Sequence, residues 1–376
     1  MFEKLSYLTL QEYWWFLIGL LGALFVFMTF VQGGQTLLYR LGKTETERDL
    51  IVNALGRKWE LTFTTLVMFG GALFAAFPLF YAVSFGGAYY VWMAILFCFI
   101  LQAVAYEYRK KPGNLYGERT YEIFLFINGS LGIILIGIAL GTLFTGGHFV
   151  VNDNHLSHWT RSSYGLEAVL NPFNVAFGLM LFFLARILAA LYLIDTVDEA
   201  AILTRARRVL RIETVLFLLL FLYVAGSIVS MSGYGYDPGT LKVTIEPHKF
   251  LHNLVAMPLV AASLLLGAVL LLVGIGMDLF ARSDKGIWPA GLGVILVVLS
   301  LFLILGYNHT VFYPSLDDPQ SSLTIQNASG SRYTLVAMSY VSLMVPLVLG
   351  YIIAVWRAMN RHKMTLQEVE NDPHHY

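Results

Sequence analysis

GRKWELTFTTLVMFGGALFAAFPLFYAVSFGGAYY, residues 56–90, decides how this chain folds. Its charges stop at Glu60, and no charged residue follows until Glu107. A run of about 20 apolar residues is enough to cross the hydrocarbon core as a helix. The uncharged stretch holds two such crossings, and Ser84-Phe85-Gly86-Gly87 is the natural place for the chain to reverse. The reading is a tight antiparallel hairpin of spans 61–83 and 87–107, with Glu60 and Glu107 at neighbouring ends.

Working outward, further apolar runs fall near 13–39, 122–144, 172–194, 212–231, 252–281, 286–307 and 334–357. The fold class is therefore an all-α polytopic membrane protein with nine transmembrane helices, read as one integral membrane domain over residues 1–376. Composition agrees: 57% of the chain is hydrophobic and 13% charged, and the mean hydropathy of +0.68 lies outside the soluble range. The N-terminus has no basic stretch leading to a small-residue cleavage site, so the first run is expected to stay as a membrane helix. A net charge of zero with scattered basic residues excludes a nucleic-acid partner. Cys98 is the only cysteine, which excludes an internal disulfide or a CxxC redox motif.

An odd number of spans puts the termini on opposite sides. One set of loops plus the C-terminal tail carries 18 of the 24 Lys and Arg residues, among them Arg40, Arg57, Arg109, Arg205 and Arg357. The N-terminus and the other loops carry five: Lys4, Arg161, Lys242, Lys249 and Arg332. Basic loops stay in the cytoplasm. The N-terminus is thus expected outside and the C-terminus inside, with loops 145–171, 232–251 and 308–333 capping the outer face.

Haem held within a membrane bundle generally takes His or Met ligands at bundle depth. The nine histidines, at 148, 155, 158, 248, 252, 309, 362, 374 and 375, all fall in loops, tails or span ends. His248 and His252 share a helix face at i, i+4, yet a lone pair is weak support for a metal site. No firmly bound cofactor is expected in this chain, and Met residues are read as packing.

Three ionisable positions stand out. Glu60 and Glu107 are predicted at one depth, where a carboxylate can take a proton from cytoplasmic water and pass it inward. Against that, an acid in a first helical turn is favoured by the macrodipole, and basic residues follow Glu107. Arg186 lies about nine residues, ~13 Å of rise, inside the fifth span; a structural ion pair with a carboxylate is the reading. Asp278 has Arg282 at i+4 as its expected partner.

Several stretches together resemble subunit II of the cytochrome bd quinol oxidases over nearly the whole length. They are the Trp-acid pair running into GGALFAAFP (59–78), TERDLIVNALGRKW before it, YEYRKK at 106–111, NPF at 171–173, and FYPS with SSLT, NASGS and TL across 312–335. The resemblance implies two four-helix groups plus one peripheral helix, packed on a haem-bearing subunit I that carries haem b, haem d and the quinol site. It implies a bacterial cytoplasmic (inner) membrane, dioxygen reduced to water, and Glu60 and Glu107 at the acids lining proton uptake. A small third subunit and a structural quinone are compatible with it. The chain departs from the enteric pattern after Trp59, where Glu60-Leu-Thr-Phe-Thr-Thr stands, and at Gln32, which takes an acid's place. Roles of the lost acids do not transfer. The alternative reading is a secondary transporter or channel, which usually needs helices broken at mid-membrane; here Pro78, Pro172, Pro247, Pro258 and Pro289 lie outside or near predicted helix ends.

Overall fold

A computed structural model of the chain describes residues 1–371; His374, His375 and Tyr376 at the expected cytoplasmic end lie outside the described residues. Within them, nine helices are long and apolar enough to cross a membrane. The first span is α1 (Tyr7–Met28) and α2 (Phe30–Leu41), offset at Thr29. The second is α3 (Glu45–Ala76), followed by the short α4 (Pro78–Tyr81). The third is α5 (Tyr89–Tyr108). The fourth is α6 (Glu118–Ile127) and α7 (Ile133–Thr145), joined by a wide turn over Asn128–Gly132. Then come α8 (Pro172–Thr196) and α9 (Ala200–Ser230). The seventh span is α10 (Lys249–Ala256) and α11 (Pro258–Leu279), the eighth α12 (Ile287–Gly306). The ninth is α13 (Arg332–Ser342) and α14 (Val345–Met359), and α15 (Leu366–Asn371) follows it.

Span two starts earlier than expected. Thr44 and Glu47 form a reciprocal capping box, so the helix begins at Glu45 and runs through the polar stretch before Leu61. Glu60 is therefore sixteen residues into α3 rather than in a first turn, and the macrodipole does not account for it. The expected pairing of Asp278 with Arg282 also fails. α11 ends at Leu279, and Arg282 adopts φ 50° beyond it, exposed and off the helix. Asp278 instead faces the backbone of Gly286, where a Cβ would collide with its carboxylate. The seventh span is divided by Pro258, which removes one backbone donor and occupies the first position of the new helix, where that donor has no partner to lose.

In lipid there is little hydrophobic drive between helices, so close backbone approach and polar contacts do the holding. α2 lies against α8 and α3, α1 against α12 and α3, α11 against α12, and α8 against α7 and α9. A Cβ on Gly33 would overlap the Ala185 carbonyl, so α2 and α8 touch backbone to backbone. Trp15, almost wholly buried, donates its indole N–H to the Phe302 carbonyl at 2.7 Å, tying α1 to α12.

The two ends differ. At one, the basic residues gather. At the other, loops carry two antiparallel hairpins, β1 (Phe149–Val151) with β2 (Ser157–Trp159) and β3 (Gly233–Tyr236) with β4 (Val243–Glu246). Asn253 fastens this cap to the helices: its amide donates to the Ile304 carbonyl and to Thr310 Oγ1, both at 2.7 Å, and it accepts from Asn308 at 2.9 Å.

Candidate functional site

At the basic end, α3 and α5 meet through side chains. Trp59 and Tyr106 stack with ring centroids 5.5 Å apart and planes 12° off parallel. Glu60 and Glu107 are the next residues along each helix, and both are exposed. Glu107 Oε1 pairs with Lys111 at 2.8 Å. That hydrogen bond holds the Lys111 ammonium above its ordinary pKa. Glu60 has no hydrogen bond or ion pair among the described residues, and the two carboxylates make no contact with each other. Its neighbours on α3 turn elsewhere: Arg57 donates to the Met359 carbonyl, and buried Lys58 donates to Asn360 Oδ1 at 3.0 Å beneath the Trp356 ring.

Arg186 meets Glu213 of α9, Nη2 to Oε1 at 2.7 Å, and donates to Thr36 Oγ1 at 3.1 Å. Arg40 shares the same Glu213 oxygen at 3.0 Å and reaches out to the surface. Glu213, 27 residues further on in the next span, carries no sequence signal that assigns it to Arg186.

The largest charged cluster went unread in the sequence. Arg109, at the end of α5, is fully buried, with Nη2 at 2.6 Å from Asp49, 2.8 Å from Glu122 and 3.5 Å from Glu118. Lys110 reaches Glu118 at 2.8 Å, Asp49 at 3.0 Å and Glu45 at 3.2 Å. Burial works against the Lys110 charge, but hydrogen bonds to Glu118 and Asp49 more than offset it and raise its pKa. Tyr39 donates to Glu122, and Arg48 lies 3.5 Å from the same carboxylate. Three cations thus face four carboxylates across α3, α5 and α6. The spacing of Asp49 from Thr44, inside a capped first helical turn and a half, was the signal that could have placed it on the helix.

Above this cluster runs a neutral polar core. Gln32 Nε2 donates to Gln102 at 3.0 Å and Gln35 to the Tyr106 hydroxyl at 3.3 Å. Asn128, in the wide turn of the fourth span, is fully buried with neither amide atom hydrogen-bonded to protein. Elsewhere, an apolar cavity of about 340 Å³ lies among α7, α8, α9, α11 and α12, walled by residues such as Phe144, Phe177, Phe217 and Leu271.

Among the described residues the histidines sit at the loop-capped end, apart from His362, and several are engaged. His148 Nδ1 meets Asp317 at 2.9 Å, His248 Nδ1 the Val229 carbonyl at 3.2 Å, and His309 packs edge-on against Tyr236. Asp317 is held below the usual carboxylate range by hydrogen bonds from Thr160 and His148.

Nine apolar crossings among the described residues, closed by these polar contacts, define a multi-pass integral membrane protein. The sequence matches the family "Cytochrome bd terminal oxidase subunit II" over residues 10–359, and the chain belongs to that family. It is 30% identical to the cytochrome bd-I ubiquinol oxidase subunit 2 of Escherichia coli K12, covering 98% of this chain and 99% of that protein. It is 28% identical to the probable cytochrome oxidase subunit 2 of Haemophilus influenzae, with 89% of each covered. The solved bd oxidase from Geobacillus thermodenitrificans superposes on its fold with a TM-score of 0.64 at 17% identity, covering 94% of this chain and all of that one.

Proposed function

We propose that this chain is the haem-free subunit II of a quinol:dioxygen oxidoreductase of a bacterial respiratory chain, seated in the inner membrane with its basic end in the cytoplasm. The observation that carries the proposal is the match to bd oxidase second subunits over essentially the full length. In this reading the haem-bearing subunit I holds haem b and haem d, and the nine spans form two four-helix groups with the ninth peripheral. A haem in this chain does not fit its donors: the engaged histidines lie at the capped end, with imidazoles already committed to Asp317 or a backbone carbonyl. No reaction step is therefore assigned to a haem here.

The α3 surface supports a protein partner. This span has the lowest mean hydropathy of the nine. Glu60, Thr64 and Gly71 are exposed along one of its faces, and a Cβ on Gly71 would meet nothing within 4 Å. A carboxylate and a hydroxyl facing lipid are costly, so a partner subunit is the natural cover. Glu60 and Glu107, either side of the Trp59–Tyr106 stack, would take protons from cytoplasmic water near that interface. The 340 Å³ apolar cavity has the chemistry to receive a quinone or lipid chain, and a small third subunit remains compatible.

The test is quinol-driven oxygen consumption per haem in the purified complex. Glu60→Gln and Glu107→Gln are each expected to slow turnover with haem content intact, and the double variant to lose less than the sum of the two. Unchanged turnover in all three ends the proton-uptake role. Haem absorption from the isolated chain at near one-to-one stoichiometry ends the haem-free reading, and an inactive but intact cytoplasmic reporter fused at Tyr376 ends the topology.

A further inference from the structure

A second cavity, of about 110 Å³, lies at the loop-capped end between the C-terminal turn of α7, the N-terminal turn of α8 and the loop before it. Its lining presents acceptors in excess of donors. Glu167 Oε2 accepts from Ser163 Oγ at 2.5 Å and from the Gly165 N–H at 3.0 Å. Glu167 Oε1 is sealed from bulk solvent and has no hydrogen-bond partner, and no cation pairs with this carboxylate among the described residues. Thr142 has spent its hydroxyl proton on the Ala139 carbonyl at 2.6 Å, and Thr145 its own on Asn174 Oδ1 at 2.9 Å. Both hydroxyl oxygens are left with lone pairs only.

Both indole N–H donors nearby are spent, as is one of the two Asn174 amide protons, while Asn171 uses its Oδ1 to cap α8 and keeps its amide protons. Trp92 donates to Ser84 at 3.3 Å, Trp159 to the Val83 carbonyl at 2.9 Å, and Asn174 Nδ2 to the Ala168 carbonyl at 3.3 Å. His148, on the same wall, is held by Asp317. The hydroxyls of Ser84 and Tyr313 can turn as acceptors or donors. The negative pole at the end of α7 and the positive pole at the start of α8 both meet this cavity, so the charge of Glu167 decides its sign.

A buried carboxylate oxygen without a donor costs free energy unless something positive or protic meets it. Water or a turned Ser84 or Tyr313 hydroxyl can bring it a proton but not a positive charge. One carboxylate among neutral oxygens matches a single positive charge, whereas divalent sites usually gather more carboxylates. The volume admits a small ion together with a few waters.

We propose that this cavity binds a small monovalent cation of the sodium class, partly hydrated, with Glu167 as its charged ligand and Thr142, Thr145 and Asn174 as neutral oxygen donors. The ion clamps the loop carrying Glu167 to the ends of α7 and α8. The site lies wholly within this chain and does not depend on the oxidase reading.

The experiment measures the thermal midpoint of the purified complex in NaCl, in choline chloride and in MgCl₂ at matched ionic strength, with ²²Na⁺ binding measured in parallel. A ligand bound only by the folded state raises the midpoint with its concentration. Sodium should raise it saturably, choline should not, and Glu167→Gln should abolish both the rise and the ²²Na⁺ signal. Thr145→Val, which keeps shape but removes one oxygen, should need about tenfold more sodium for half the effect. Equal midpoints in sodium and choline mean water only and overturn the proposal, as does an equal or larger effect of Mg²⁺. A sodium effect undiminished in Glu167→Gln also overturns it. Should that variant fail to assemble, Thr145→Val decides, and an unchanged half-effect concentration there sinks the site.

Discussion

The two ends of this molecule solve the same problem with different chemistry. Each must close a set of helix termini against water and headgroups. The basic end does it with buried charge: Arg109 alone gathers Asp49, Glu118 and Glu122, and Glu213 holds both Arg186 and Arg40. The capped end leans mainly on neutral groups, through Asn253, Thr310 and a nest of aromatic rings around Trp15, Phe77 and Phe312, with Lys249–Glu246 and His148–Asp317 as its smaller charged contacts. Removing one half of a buried ion pair strands a charge, whereas removing one half of a neutral bond strands only a dipole. The basic end should therefore be the more brittle.

Arg109→Met is the strongest way to break that contrast. It leaves Asp49 and Glu122 without their buried cation and should cost about 3–5 kcal/mol, read as loss of assembled complex on extraction. Adding Glu122→Gln should restore part of the yield, and no restoration would mean that packing rather than charge is at stake. Arg186→Met should cost less, about 2–3 kcal/mol, because Arg40 still pairs with Glu213. Its coupling to Glu213→Gln in a double-mutant cycle measures the pair directly.

At the capped end, Asn253→Ala should cost about 1–3 kcal/mol by stranding the Ile304 carbonyl and Thr310. That loss should be insensitive to salt. A salt-dependent loss would erase the distinction between the ends. The cap also has a pH edge. Asp317 has a depressed pKa in the folded state, so its contribution is fully present above the ordinary aspartate value of about 3.9. It is lost as pH falls through the lower folded value. Hydrogen exchange around His148 and Thr160 should stay slow from neutrality to about pH 4 and quicken only below it. Quickening already near pH 6 would rule Asp317 out as the cause. Smallest of all, Lys111→Ala should leave the thermal midpoint of the complex unchanged, since its pair with Glu107 is solvent-exposed on both sides.

The number of crossings was legible because hydropathy is a property of single segments, and all nine predicted runs overlap an observed span. The start of α3 was hidden, since the polar residues from Glu45 to Glu60 lower the local hydropathy although Thr44-x-x-Glu47 spells a capping box. The breaks at Thr29 and Leu343 left no comparable mark. Contacts between spans were far less readable. That Arg186 needs a carboxylate follows from its depth, but that Glu213 meets it depends on how α8 and α9 rotate against each other. Arg109 read as one more loop cation because nothing near it in sequence announces Asp49, on a helix whose polar start was itself unread.

The backbone contact of Gly33 with Ala185 sets a clock on synthesis. α2 enters the bilayer with the first span, carrying Gln32, Gln35 and Thr36, but the helix that covers it is complete only after some 150 further residues. At translation rates of about 5–20 residues per second, the first span waits on the order of 10–30 s for its neighbour. Its two glutamines meet Gln102 and Tyr106 when α5 arrives, but Gly33 and Thr36 face lipid or a borrowed partner until α8 does. A cell that makes this protein must shelter one half-polar helix for longer than most small domains take to fold.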